Sequence, residues 1–300
     1  MSTFRRRADQ HPEGVQASAG HDAATPVAPP LGLAPPRRFP LSRAVLSLVA
    51  ILIVLALWQG LAVAVQQLRG VPFPTPYDTA KRLLYLGRGR PLLEFTVYRH
   101  LADSLLRWGT GFGMAMVLGI VAGLLLGWSP LLERLIMPTV HVLQLIPGLA
   151  WIPVAILLFG IGERSTIFMI AVTAFAPIVI NTTAGVKGVD EMYLRAARMM
   201  GADDRTLFLR VLLPGSLPHL LSGLRVGLAN GWRVLVAAEM IVGTGTGLGY
   251  SILQARWTLD YTSSFACLLI IVGIGLTVER GIFGPLERRT VERWGLARAG

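Results

Sequence analysis

The residues best placed to do chemistry are two charged side chains inside a long apolar run. Arg233 and Glu239 both fall within Leu220–Val242. Placing a charge in the hydrocarbon of a bilayer costs about 2.5–3.5 kcal/mol on insertion scales. Arg233 therefore needs a partner on another helix, an aqueous path or an anionic substrate, and the sequence leaves these open. Glu239 lies about 240° around a helix from Arg233, so a pair within the helix is not expected.

Amide and proline residues mark further positions in the apolar runs. A proline inside a helix removes one backbone hydrogen bond, and lipid tolerates the freed carbonyl only where protein or water covers it. Pro147 and Pro153 predict a kink that either lines a cavity or only packs. The predicted translocation path comprises Gln144, Pro147, Asn181, Asn230, Arg233 and Glu239.

The motifs of several enzyme classes do not occur in the sequence. A P-loop needs GxxxxGK[ST], and neither lysine, Lys81 or Lys187, follows a glycine or precedes Ser or Thr. The histidines form no HExxH pair, and there is no GxSxG elbow. The one cysteine, Cys267, excludes an intrachain disulfide and a cysteine metal cluster. We expect no catalytic residue, no metal site and no cofactor on this chain, and we interpret Gly243–Gly249 as a mobile outer loop.

The composition is that of a membrane protein. Of 300 residues, 53% are hydrophobic and only 15% are charged, and the mean hydropathy is +0.58. Soluble domains carry about 25% charged residues. The net charge of +11 comes from basic residues that flank the apolar runs, which is a pattern of membrane topology. This excludes a disordered chain and a soluble nucleic-acid-binding protein, so no nucleic-acid partner is expected.

The apolar runs predict an all-α, polytopic protein with about six transmembrane helices in a lipid bilayer. About 20 apolar residues are enough to cross the hydrocarbon. The number of spans could also be five or seven, and Thr258–Ser264 could extend the last one. The predicted spans are Ala44–Val65, Trp108–Trp128, Leu135–Ile161, Thr166–Val186, Leu220–Val242 and Phe265–Val278.

The segments outside the spans complete the predicted organisation. Residues 1–43 are proline-rich and basic, and we expect a disordered cytoplasmic tail. Residues 44–105 combine the first span, which is favoured over a cleavable signal peptide, with an exterior amphipathic segment made of Thr79–Leu86 and Leu92–Leu106. Residues 106–280 form the core, and 281–300 form a cytoplasmic C-terminal tail.

The distribution of Lys and Arg favours a cytoplasmic N-terminus and a cytoplasmic C-terminus. One segment conflicts with this rule. The loop that this topology places outside holds six basic residues: Arg69, Lys81, Arg82, Arg88, Arg90 and Arg99.

Glycines at four-residue spacing mark the second span. Gly119, Gly123 and Gly127 give two overlapping GxxxG steps, which flatten one helix face so that another backbone can approach closely. The pattern predicts helix packing, either within the chain or between subunits.

The loop Gly188–Pro218 is too polar to span a membrane, yet it keeps apolar residues at helical spacing. Gly201 interrupts the pattern, and Pro214 and Pro218 end it. We predict two short amphipathic helices at the cytoplasmic surface. Such a hairpin can insert into a socket on a soluble partner or lie on lipid headgroups.

This loop resembles a known signature. Ala196-Ala197, three residues, Gly201, nine residues and then Val211-Leu212-Leu213-Pro214 is similar to the EAA motif of permease subunits of bacterial ABC importers. The resemblance covers about residues 72–295. It includes Ile146–Pro153, Phe159–Gly162, Asn181–Val186, Val236–Met240 and Gly247–Tyr250, and it is strongest with the branch that imports nitrate, aliphatic sulfonates and taurine.

The resemblance implies a transport subunit of the inner membrane, without an ATPase site of its own. The permease would work as a pair, with a second copy as a homodimer or with a related permease as a heterodimer. The EAA loop would be the coupling helix that docks on a cytoplasmic ABC ATPase, which uses ATP-Mg, and an extracytoplasmic binding protein would deliver a small anion. The implied coupling residues are Glu191, Arg195, Ala196, Ala197, Gly201, Ala202 and Pro214.

Two points stay open. Arg195 occupies the position that is acidic in the family, and Glu191, one turn earlier, is a hypothetical substitute for pairing with a basic group of the ATPase. An ion-coupled secondary transporter is the alternative function. It would need intramembrane acids for the coupling ion, and Glu239 is the one acid that the sequence places within a span.

Overall fold

The computed structural model describes residues 43–243, 245–283 and 285. The chain forms two compact units, Met1–Ala50 and Ile51–Gly300. The described part of the first unit is the start of one helix. The predicted tails 1–43 and 281–300 lie almost wholly outside the described residues, so their disorder stays a prediction.

The described residues are almost entirely helical. A single antiparallel hairpin, β1 (Pro91–Leu92) with β2 (Phe95–Thr96), is the one sheet among them. The helices are α1 (Arg43–Arg69), α2 (Pro76–Gly87), α3 (Val97–Trp128), α4 (Pro130–Leu145), α5 (Ile152–Phe159), α6 (Glu163–Lys187), α7 (Glu191–Met199), α8 (Asp204–Leu207), α9 (Leu213–Val242), α10 (Leu248–Trp257) and α11 (Tyr261–Val278).

Five helical segments are long and apolar enough to cross a membrane, and a sixth is present if a bent pair counts as one span. This confirms the all-α fold with about six spans. The five are Val45–Arg69, Val97–Trp128, Glu163–Lys187, Asp204–Val242 and Tyr261–Gly281.

The predicted third span, Leu135–Ile161, is not one kinked helix. The chain bends by 102° between Pro130–Leu145 and Gly148–Phe159. Pro147 lies in the break and precedes a 3-10 turn, Gly148–Trp151. Pro153 lies in the first turn of α5, where a missing N–H breaks no hydrogen bond. Two prolines at these positions therefore separate two helices instead of kinking one.

Two helices begin before the spans predicted for them. The 32-residue helix α3 begins at Val97, so it contains the predicted span Trp108–Trp128 together with most of the amphipathic segment Leu92–Leu106. Helix α11 begins at Tyr261, within the segment Thr258–Ser264 that could extend the last span. The Asp260 carboxylate accepts a hydrogen bond from the Ser263 backbone N–H at 3.1 Å and so caps that helix. The amphipathic helix predicted around Thr79–Leu86 is confirmed as α2.

Helix α6 is the centre of the bundle because glycine faces pack on it from both sides. A Cβ atom added at Gly123 of α3 would lie 2.5 Å from Thr182 Cβ, and one added at Gly127 would lie 2.6 Å from Val186 Cβ. On the other side, a Cβ atom at Gly227 of α9 would lie 2.9 Å from the backbone oxygen of Ala174. The GxxxG pattern of the second span therefore packs within the chain.

Replacing Gly123 with valine should destabilise the protein, whereas the same change at Gly113 should not. Nothing lies within 4 Å of a Cβ atom at Gly113. Overpacking a tight contact costs about 1–3 kcal/mol. The measurement is the temperature at which Cys267, buried and alone of its type, becomes reactive to a thiol dye in detergent. Equal transition temperatures for Gly123→Val and Gly113→Val would contradict this packing.

Candidate functional site

The first half of the EAA loop is the short helix α7, with a defined signal at each end. The carboxylate of Asp190 accepts a hydrogen bond from the Met192 backbone N–H at 2.8 Å and caps the N-terminus. At the other end Gly201 has a φ of +84°, which favours glycine. This turn lets the Ala202 N–H donate to the Ala197 carbonyl at 3.0 Å. Gly201 is therefore needed for its backbone conformation, since a Cβ atom there would meet open space.

The second predicted short helix does not exist as a separate element. From Asp204 the chain continues without a break to Val242, over 39 residues. Neither Pro214 nor Pro218 ends it, because Pro214 lies in the first turn of α9 and Pro218 inside it. A wide π turn at Phe208–Leu212 precedes Pro214. Such a turn relieves the clash of a proline ring with the carbonyl four residues earlier.

The loop Gly188–Pro218, called the helical hairpin below, packs against the bundle on one side and is exposed on the other. Ala197, Leu207 and Leu212 are buried, and the ring of Phe208 packs edge-on against Trp128 at the end of α3. A cavity of about 410 Å³ lies between α7 and the start of α9. The exposed surface of the hairpin is apolar at Met192, Tyr193, Met199 and Met200.

Charges on the hairpin are local and exposed. Glu191 forms an ion pair with Arg195, one turn along α7. Asp203 caps α8 through the Thr206 backbone N–H at 3.1 Å. Hydrogen bonds from the Thr206 side chain and backbone lower the pKa of Asp203 from its ordinary value. The cap is therefore anionic at neutral pH, and its contribution to stability is lost as the pH falls through that lowered pKa.

A second polar centre, absent from the sequence predictions apart from Glu239, joins α3 to α9. Arg107 is 4% exposed and Glu239 is 1% exposed. Their closest nitrogen and oxygen atoms are 3.0 Å apart. The Ser104 hydroxyl donates to the same carboxylate at 2.8 Å. Arg107 also contacts Glu163 at the start of α6 at 3.0 Å.

This polar centre holds the glycine-rich segment that was expected to be mobile. The Gly247 N–H donates to the His100 ring at 3.1 Å, and the Gly249 N–H donates to the Glu239 carboxylate at 2.9 Å. Arg107 donates to both oxygen atoms of Thr246 at 2.9 Å. The segment is therefore fastened onto α3 and α9. His100, Ser104 and Arg107 recur at spacings of four and three, a polar helix stripe that could have revealed the centre.

The predicted path residues divide into groups. Arg233 and Asn230 lie on the outward face of α9, with Arg233 exposed and Asn230 half-buried. Gln144 and Pro147 are exposed, and Gly148, the next residue, packs against Val234 and so brings this break beside α9.

The other two predicted path residues are bonded within the protein. The Asn181 amide donates to the Pro177 carbonyl of its own helix at 2.8 Å. Glu239 belongs to the buried centre. Within the described part of the chain, no three His, Cys, Asp or Glu residues group closely enough to hold a metal ion.

Comparison with known proteins gives a consistent result. Residues 115–291 match the family described as "Binding-protein-dependent transport system inner membrane component". The taurine transport system permease protein TauC of Escherichia coli (strain K12) is 36% identical over 253 residues, which cover 84% of this chain and 91% of that protein. The nitrate import permease protein NrtB of Synechocystis sp. (strain PCC 6803) is 39% identical over 180 residues, 60% of this chain and 65% of that protein.

A solved structure shows the same fold. The methionine ABC transporter MetNI, in an inward-facing conformation, matches 70% of this chain and 98% of that chain with a TM-score of 0.52. At 23% sequence identity, this similarity concerns the fold alone.

Removing the carboxylate of Glu239 should destabilise the protein much more than removing a carboxylate near the surface that is only partly buried. Breaking a buried ion pair costs about 3–5 kcal/mol, because the other charge stays buried. An exposed pair contributes about 0–1 kcal/mol. Glu239→Ala is compared with Glu133→Ala, since Glu133 pairs with the half-exposed Lys187. Thermal unfolding is followed by far-ultraviolet circular dichroism, and similar shifts for both variants would refute a structural role for the buried pair.

Proposed function

The chain belongs to the family of binding-protein-dependent transport system inner membrane components, and we propose that it forms the pathway for a small anion such as nitrate, an aliphatic sulfonate or taurine. It does so as the permease subunit of an ATP-driven importer. The N-terminus lies in the cytoplasm, and a second copy of the chain completes a homodimeric pore.

The observation that carries this proposal is a polar stripe on the outward face of α9. His219, Ser222 and Arg233 are exposed there and Asn230 is half-buried, although the same face also exposes Val226. A lipid-facing surface would be apolar there, because a charge in hydrocarbon costs about 2.5–3.5 kcal/mol. A polar stripe at this depth is typical of a water-filled path or a contact with another subunit. Arg233 favours solutes of negative charge.

The relatives support the choice of solute. Their names refer to taurine, nitrate and bicarbonate. Each of these solutes carries an oxoanion group at neutral pH. The guanidinium of arginine matches such a group in both charge and geometry.

The continuity of the helix supports a mechanism of coupling. The segment from Asp204 to Val242 spans about 58 Å at 1.5 Å per residue. It begins beside the hairpin and carries both Arg233 and Glu239. A cytoplasmic ABC ATPase that closes with ATP-Mg would bind the exposed apolar surface of α7. Its closure would tilt the helical segment Asp204–Val242. An extracytoplasmic binding protein would deliver the solute to the opposite end.

An ion-coupled carrier is less well supported. It needs an acid that faces a path and exchanges protons or cations. The Glu239 carboxylate is instead enclosed and accepts hydrogen bonds from Ser104, Arg107 and Gly249.

The direct test is uptake in whole cells. Uptake of taurine, ethanesulfonate or nitrate should require this chain and should stop when the P-loop lysine of its partner ATPase is replaced. Uptake that persists without ATP hydrolysis and follows the proton gradient would overturn the proposal in favour of a carrier.

Reversing the charge of Glu191 should reduce transport-coupled ATP hydrolysis several-fold. A lysine at position 191 would face the basic group of the ATPase with which Glu191 is expected to pair, and like charges at an interface are strongly unfavourable. Glu191→Lys is compared with Glu94→Lys. Glu94 is also exposed, but it lies in the turn between β1 and β2 and outside the loop Gly188–Pro218. ATP hydrolysis is measured with the reconstituted complex and its binding protein. If Glu191→Lys hydrolyses ATP like Glu94→Lys, Glu191 has no part in docking.

A further inference from the structure

A cavity of about 180 Å³ lies between α3, α9 and α11. Its walls include Trp108, Arg225, Trp232, Arg233 and Glu279. Arg233 is nine residues before the end of α9, so the cavity reaches about 14 Å from that end along the helix axis. The cavity is therefore well inside the span.

One nitrogen atom of the Arg233 guanidinium makes a hydrogen bond within the described part of the chain, and the other two do not. Its Nε donates to the Ala229 carbonyl of its own helix at 3.1 Å, which fixes the stem of the side chain. Within the part of the chain that the structure describes, Arg233 makes no other hydrogen bond and no ion pair. Its two terminal nitrogen atoms are thus available as the paired donors that bind an oxoanion through two parallel hydrogen bonds.

The indole of Trp108 supplies a second donor. Its Nε1 is buried and has no hydrogen-bond partner among the described residues. The ring is fixed by stacking on Phe112 at 5.5 Å and by an edge contact with Trp232 at 5.7 Å, both between ring centroids. A buried N–H without an acceptor is unfavourable. An acceptor that enters the cavity would relieve that cost.

The charge and size of the cavity limit what can occupy it. Two arginines and one glutamate line it, so the lining favours an anion. Sites for drug-sized ligands measure about 300–1,000 Å³. A cavity of about 180 Å³ is too small for such a ligand but accommodates a few heavy atoms.

We infer that this cavity is an oxoanion subsite within the membrane, in which Arg233 and the Trp108 N–H hold a nitrate, sulfonate or bicarbonate group. The inference rests on the proposed function and deepens it, because it assigns a stopping point to the solute after release from the binding protein. Selectivity would then be checked a second time inside the pore.

The test is isothermal titration calorimetry on the full chain purified in a maltoside detergent, which lacks phosphate. The probes are nitrate, methanesulfonate and bicarbonate, with acetamide and methylammonium as neutral and cationic controls. At least one oxoanion should bind at millimolar concentration, and both controls should fail. Arg233→Gln should weaken binding by about tenfold or more, because the lost hydrogen bonds are charge-assisted.

Two further variants separate a binding role from a structural one. Arg134→Gln, a change of the same kind at an exposed position of α4, should leave the affinity unchanged. Trp108→Phe keeps one aromatic ring and removes the five-membered ring with its N–H, so it should weaken binding severalfold in a chain that still unfolds cooperatively, which thermal unfolding checks.

Several results would overturn the subsite. These are the absence of oxoanion binding to the wild-type chain, equal affinity in Arg233→Gln, and a signal with phosphatidylglycerol but with none of the solutes. The last result would assign the donors to a lipid phosphate. If affinity is unchanged in Arg233→Gln while uptake still requires the ATPase, the subsite fails and the importer stands. Uptake that is independent of the ATPase refutes the importer, and calorimetry alone then decides the subsite.

Discussion

A bilayer allows a charged side chain to be stable in only two ways, by pairing within protein or by contact with water. Arg107 and Glu239 take the first way. They are almost completely buried and lie 3.0 Å apart, and the Glu239 carboxylate also accepts hydrogen bonds from Ser104 and Gly249. Arg233, six residues before Glu239 on the same helix, has no such partner among the described residues. The contrast separates the part of α9 that holds the bundle together from the part that faces the proposed path.

The helices that carry these charges are closely packed and are connected to α7. Glycine faces of α3 and α9 let both helices approach α6 closely, so the three form one packed unit. Helix α7 (Glu191–Met199) is joined to that unit through the continuous helical segment from Asp204 to Val242. In the proposed mechanism, a displacement imposed at α7 would be transmitted along α9 to Arg233 and to the Arg107–Glu239 pair. The wide turn at Phe208–Leu212 and the proline at position 218 are local irregularities on this route.

Sequence patterns predicted what depends on local periodicity. The apolar runs gave the spans to within a few residues at most ends, and the spacing of Ala197 and Gly201 located α7 and its terminating turn. Sequence patterns did not predict the features that depend on contacts between segments far apart in the sequence. Pro147 and Pro153 predict a kink, but they do not predict a 102° bend or the packing of Gly148 against Val234 at that bend. Likewise, nothing local in Gly243–Gly249 reveals that this segment is held by His100 and Arg107 of α3.

The central claim is that position 233 is in contact with water although it lies deep in a span. It is tested by introducing Arg233→Cys and Leu106→Cys separately into a Cys267→Ala chain and treating the assembled transporter with a charged, membrane-impermeant thiol reagent. Leu106 is exposed and two residues from Trp108, whose ring contacts Trp232, so it lies at a similar depth on an apolar surface. We expect modification at position 233 and protection at 106. Protection at both positions would place Arg233 away from any aqueous path and contradict the account.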